Sequence, residues 1–268
     1  MTHCFPDKAP LRRLGTRKPA SFFSVTSRAL LTASLSMAAS LPLRAAPQVE
    51  DSIAQRVQAC TGCHGPQGRA APDGYYPRIA GKPAGYLYNQ LLNFRDGRRE
   101  YSLMSNLLAP LSDAYLREIA EHFASLDLPY PPHEPTKASV TDLSIGEALA
   151  TRGDAERQIP ACVACHGQAL TGVAPGIPGL MGLPRDYING QLGAWKAGNR
   201  KAHGPDCMAQ VAKALTPQDI SAVSSWLSAL PLPADTRPAD SLPAALPILC
   251  GGLPGGTTIG TAASGSKP

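Results

Sequence analysis

Two stretches of the chain read Cys-x-x-Cys-His: Cys60-Thr61-Gly62-Cys63-His64 and Cys162-Val163-Ala164-Cys165-His166. This is the attachment spacing of a c-type haem. Two thiols add across the vinyl groups of one porphyrin, and the adjacent His reaches the iron from one face. Each copy is followed by Gly, at Gly65 and Gly167. The pair predicts two covalently bound haems, with His64 and His166 as iron ligands. Other chemistries use the same letters: a zinc half-site, a thioredoxin-like redox pair or a structural disulfide. Zinc needs four well-placed donors, and two Cys with one adjacent His give poor tetrahedral geometry. A thioredoxin-like pair follows a strand, and no β-α-β pattern surrounds either motif.

The sixth iron position wants a soft donor or an open site. Met104 lies forty residues after His64, and Met208 forty-two after His166. Both precede the last helical segment of their half. A single Met is usually core packing, but two in register across a repeat point to ligation. Met181 falls opposite Ala80 and reads as packing beside the haem. Cys207 is the rival ligand next to Met208, but Leu103 holds its place in the first half. Cys207 and Cys250 can pair in an oxidising compartment or stay free. A ligating His usually donates its other ring N–H to a carbonyl, and the carbonyls of Pro77 and Pro178 are the candidates.

These residues sit in an internal repeat of roughly one hundred positions. Pro77 to Pro83 answers Pro178 to Pro184. Tyr86, Gln90, Leu91, Phe94, Gly97 and Arg99 answer Tyr187, Gln191, Leu192, Trp195, Gly198 and Arg200 without a gap. Each copy reads as short helices. Glu50 to Ala59 leads into the first motif, and Ser144 to Ala150 begins the approach to the second. Tyr86 to Arg95 and Asp186 to Lys196 carry apolar residues at helical spacing. Ser112 and Thr216 are expected N-caps of the closing helices, Asp113 to Leu126 and Pro217 to Leu230. No stretch shows sustained strand alternation.

Residues 1–45 read as an export signal: an extended basic region, then a short run of small apolar residues from Ala29 to Ala39, with cleavage near Ala45 or Ala46. An uncleaved anchor is the other reading of that run. Arg12-Arg13 is a twin arginine without a closely following apolar run. Seven of the 25 basic residues and one of the 20 acidic residues fall there, which leaves 18 basic against 19 acidic. The basic balance of the whole chain therefore says nothing about nucleic acid, and no nucleic-acid partner is expected. No later segment is long and apolar enough to span a bilayer. The expected layout is domain 1 over 46–128, a Pro-rich linker over 129–143, domain 2 over 144–231 and a Pro/Gly/Ala/Ser-rich tail over 232–268. The tail is expected to be disordered, and truncation after about Pro238 to leave both haem sites unchanged.

The chain over residues 50–230 resembles the dihaem class I cytochromes of the cytochrome c4 type. Beyond the haem motifs, the likeness rests on the Pro-x-x-x-Gly step, the Tyr-x-x-x-Gln-Leu helix and the Met before a closing helix. It implies an all-α fold of two tandem class I cytochrome c domains, each wrapped around one covalent haem. It also implies His/Met ligation by His64 with Met104 and His166 with Met208, and haem attachment at Cys60, Cys63, Cys162 and Cys165. The implied role is a periplasmic electron carrier, soluble or membrane-associated. Its donor would be a quinol-oxidising complex or a dehydrogenase, and its acceptor a terminal oxidase or reductase. Two other roles stay open: a dihaem enzyme of the thiosulfate dehydrogenase or peroxidase kind, kept alive by Cys207, and a haem subunit of a periplasmic dehydrogenase. Arg78 stands where that family often has a residue near the haem propionates, but Gly179 replaces it in the second copy; Lys82 and Leu183 stand in place of the usual Gln after the loop Gly, and the tail is extra.

Overall fold

The computed structural model describes residues 50–70, 74–130 and 135–253. The expected signal over 1–45, the linker centre at 131–134 and the chain end from 254 lie outside the described residues. The first module runs through α1 (Ile53–Arg56), α2 (Gln58–His64), α3 (Ala84–Arg95), α4 (Ser102–Leu108) and α5 (Asp113–Ala124). The second runs through α6 (Val140–Thr151), α7 (Cys162–His166), the two-residue strands β1 (Gly172–Val173) and β2 (Ile177–Pro178), α8 (Arg185–Ala197), α9 (Cys207–Ala214) and α10 (Pro217–Ala229). β1 and β2 pair antiparallel, with Gly172 opposite Pro178. The fold is all-α apart from this hairpin.

Local chemistry sets the helix ends. The Ser112 hydroxyl accepts from the Tyr115 N–H and starts α5. Thr216 and Asp219 form a reciprocal capping box on α10, with Pro217 in its first turn. Such caps satisfy N–H groups that the first helical turn leaves without partners. The last turn of α8 closes on Gly198 at φ 83°, a left-handed position that glycine takes without steric cost.

Each module buries its own apolar cluster. In α5, Leu116, Ile119, Ala120 and Phe123 all face inward, at the helical spacing read from the sequence. In α10, Ile220, Val223 and Leu227 do the same, and Trp226 packs at the edge. The first and last helices of module two cross at Gly146. A Cβ there would collide with the Ala222 carbonyl and the Trp226 Cβ. A mid-helix glycine costs about 1 kcal/mol relative to alanine. The close α6–α10 approach gives that cost a structural return.

Two expected boundaries move. Module two does not begin at 144, because Ser139 caps α6 through the Asp142 N–H and the helix starts at Val140. The tail is not disordered over its first part. Residues 232–253 pack on the modules, and Ala239 exchanges hydrogen bonds with Gly172 and Ala174 at 2.9 and 2.8 Å. A Pro-rich segment cannot build a core, but it can add its main chain to an edge that another module offers.

Candidate functional site

Both haem motifs are helical. α2 ends and α7 ends on their His, and Gly65 and Gly167 follow at φ 74° and 83°, which turns the chain sharply away. This turn leaves each imidazole pointing into its module. His64 Nδ1 lies 2.8 Å from the Pro77 carbonyl, and His166 Nδ1 lies 2.8 Å from the Pro178 carbonyl. These are the two carbonyls expected from the sequence. With Nδ1 donating, Nε2 carries the lone pair and is the atom available to a metal. Burial pushes both imidazoles towards the neutral form, against the hydrogen bonds from their rings to the proline carbonyls.

A continuous cavity of about 830 Å³ passes through both modules and touches both motifs. Met104 in α4 and Met208 in α9 line it, and both pack half-buried against the apolar cluster of their module. Met181 is buried in the module-two core and does not line the cavity, so it packs behind the pocket wall instead of beside the haem, where the sequence reading places it. The Cys60, Cys162 and Cys165 thiols are pushed up, principally by burial, with Cys162 at about 11. A dithiol redox pair needs the opposite shift.

Cys207 is bonded to Cys250. The two options open in the sequence thus resolve to a disulfide, and Cys207 has no thiolate to offer. Sequence separation of 43 residues hides this pairing from any spacing argument.

Between the motifs, the matched residues of the repeat meet face to face. Arg99 donates to Gln90 at 3.0 Å, to Gln191 at 2.6 Å and to the Tyr187 hydroxyl at 3.3 Å. Arg200 donates to Gln191 at 2.6 Å, to Gln90 at 3.0 Å and to the Tyr86 hydroxyl at 3.5 Å. The two arginines also form an antiparallel bridge through their main chains. This is an isologous contact, the arrangement that duplication makes available within one chain. Its register was legible in the sequence, but not its place between modules.

The cations there lack carboxylates. Neither Arg99 nor Arg200 pairs with an acidic side chain among the described residues, and Arg200 is pushed down to about 10 by burial and by the Arg99 charge. Burial raises the Tyr187 phenol, but the two guanidinium charges outweigh it and hold the group below the ordinary tyrosine value. Lys82 of module one, fully buried, donates to the Gly179 carbonyl of module two at 3.1 Å and is pushed down to about 8 by burial and by Arg78. Trp195 Nε1 is a buried donor without an acceptor among the described residues, and Arg200 stacks 3.6 Å above its ring. Buried cations and orphan donors are costly unless an anion meets them. The two propionates of a haem are anions of the right kind, so charge and apolar lining both fit the group.

Arg78 is used differently from what its position suggests. Its guanidinium donates to the carbonyls of Ala80, Leu128 and Pro129 and stacks 4.0 Å from the Tyr130 ring. It clamps the start of the linker.

Residues 146–231 match the family model described as cytochrome c. A thiosulfate dehydrogenase electron acceptor of Thiomonas intermedia is 39% identical over 189 residues, covering 70% of this chain and 86% of that protein. A cytochrome c4 of Pseudomonas aeruginosa is 34% identical over 184 residues, covering 67% and 89%. Among solved structures, reduced recombinant cytochrome c4 from Pseudomonas stutzeri superposes with a TM-score of 0.56 at 31% identity, covering 66% of this chain and 95% of that one. A thiosulfate dehydrogenase from Marichromatium purpuratum reaches 0.57 at 32% identity, covering 65% of this chain and 36% of the other.

Proposed function

We propose that this chain, which belongs to the cytochrome c4 family of dihaem electron-transfer cytochromes, accepts single electrons from a haem-containing thiosulfate dehydrogenase and passes them on in the periplasm. The covalent c-type haems supply a one-electron ferric/ferrous couple when bound. Cys60 and Cys63 would hold one through thioethers, and Cys162 and Cys165 would hold the other. His64 and His166 present Nε2 on one side, oriented by the Pro77 and Pro178 carbonyls. Met104 and Met208, which line the cavity, would supply the sulfur ligands. Arg99 and Arg200, which have no carboxylate partners among the described residues, would meet the negative charge of the propionates.

The observation that carries this reading is the occupation of Cys207 by Cys250. A catalytic role needs a haem with a labile or unusual ligand, and Cys207 was the residue that offered one. With Cys207 unavailable, His64 with Met104 and His166 with Met208 remain as the matched candidate ligands of the two modules. That symmetry suits relay. The donor assignment is drawn from relatives named as electron acceptors of thiosulfate dehydrogenase.

The test mixes the oxidised holoprotein with catalytic amounts of a thiosulfate dehydrogenase and excess thiosulfate in a stopped-flow instrument. The expected result is rapid reduction of two haems per chain with the enzyme present and none with thiosulfate alone. Consumption of thiosulfate by the chain alone would replace this reading with the enzymatic one.

A further inference from the structure

The C-terminal segment is fastened at three places. Ala239 pairs with Gly172 and Ala174 beside the hairpin. Cys250 is bonded to Cys207, the first residue of the helix that carries Met208. Beyond it, Gly251 donates to the Pro205 carbonyl at 2.9 Å, and the Asn89 side-chain amide of module one donates to the Gly252 carbonyl. Gly251 lies so close to the Gly204 carbonyl that any side chain would collide with it. Between these points Leu246 and Ile248 line the cavity, and Leu253 lines it just beyond the last. The segment thus crosses the Met208 side of module two and ends on module one.

Module one has a different surface at the matching place. Leu103, the counterpart of Cys207, is 61% exposed, and Leu107 one turn later is 44% exposed. Both line the cavity. Among the described residues, the two modules match in their haem motifs and paired methionines but not in what covers them.

We propose that residues 239–253 are a strap, locked by the Cys207–Cys250 disulfide, that shields the Met208 side of module two and holds α9 in place, so that external redox partners exchange electrons through module one. Cys250 is a positioning residue on this account, acting on Met208 through the bond to its neighbour. The disulfide closes a loop of sequence separation 43 and ties the end of the strap to the first residue of α9. Its loss therefore raises the population of the open strap by more than about tenfold. The proposal rests on the assignment of Met208 as a ligand.

The test compares ferric holoprotein, its Cys250→Ser variant and a chain truncated after Pro238. Imidazole binding, which displaces a labile methionine, is followed in each by stopped flow. Haem content by mass and the methionine-to-iron charge-transfer band are recorded alongside. The wild type should show a fast and a slow phase. Both variants should keep two haems and the fast phase, and should accelerate the slow phase by at least about tenfold. If Cys250→Ser does not mature, the same kinetics are read on wild type after phosphine cleavage of the disulfide, alkylation of both thiols and reoxidation of the irons. That cleavage delivers two electrons from the phosphine to the S–S bond and leaves the phosphine as its oxide. Unchanged slow phases in the variants or the cleaved protein overturn the strap. Absence of the charge-transfer band from wild type instead overturns the methionine ligation on which it rests.

Discussion

At the scale of single residues, chemistry follows from which atom each side chain has left to offer. His64 and His166 give up Nδ1 to a proline carbonyl and keep Nε2. On the proposed ligation, Met104→Ala and Met208→Ala should each turn one haem high-spin and lower its potential. Magnetic circular dichroism of the ferric protein checks this, and a low-spin spectrum in both variants would remove methionine from the ligand set. Arg200 is a buried guanidinium with no carboxylate beside it among the described residues. A cation favours the less positive state of a nearby iron. Arg200→Gln should therefore lower at least one potential, by on the order of 50 mV, close to a tenfold change in a one-electron equilibrium. Spectroelectrochemical titration reads it, and an unchanged or raised potential contradicts it.

At the scale of elements, the caps and crossings hold those residues in place. The α10 cap also joins the rest of module two. Asp219 accepts from the Thr216 N–H at 2.8 Å and from Arg157 at 2.7 Å. Burial pushes its carboxyl up, but these hydrogen bonds outweigh it and the group lies below the ordinary carboxylate value. A carboxylate lowered in the folded state stabilises above its unfolded pKa, near 3.9, and the stabilisation is lost as pH falls through the folded value. Acidification below about pH 4 should therefore weaken module two in the wild type. Asp219→Asn should cost about 1–2 kcal/mol at neutral pH and show a shallower acid dependence. Thermal unfolding followed by circular dichroism across pH 2–7 measures both, and parallel curves would show that the carboxylate charge contributes nothing there.

At the scale of the whole molecule, the repeat is symmetric in its Cys-x-x-Cys-His motifs and paired methionines and asymmetric around them. Module two has Trp195 with its unpartnered N–H where module one has Phe94. It receives Lys82 from module one and is crossed by the segment bonded at Cys207. A donor or cation beside one iron alone shifts that iron alone. A redox titration should therefore resolve two one-electron waves, and Trp195→Phe should move mainly one of them. A single wave in the wild type, or equal shifts of both, would mean that the surroundings balance out. Arg78→Gly is a poor probe of this asymmetry, because Arg78 holds the linker carbonyls and its loss would loosen the junction.

The amino-acid sequence by itself determined what is covalent, short-range or periodic. The Cys-x-x-Cys-His strings require only five adjacent residues, and the caps at Ser112 and Thr216 only four. The register of the repeat carried Met104 onto Met208 and Arg99 onto Arg200 across a hundred residues, because duplicated modules keep their pattern. Only the tertiary structure decided what depends on two distant segments meeting. It placed the Arg99–Arg200 pair between the modules, sent Lys82 across to Gly179, turned Arg78 to the linker and joined Cys207 to Cys250. The tail was misjudged for the same reason. Composition reports whether a segment can bury its own apolar surface. It does not report whether another module offers main-chain partners and a cysteine, and here module two offered both.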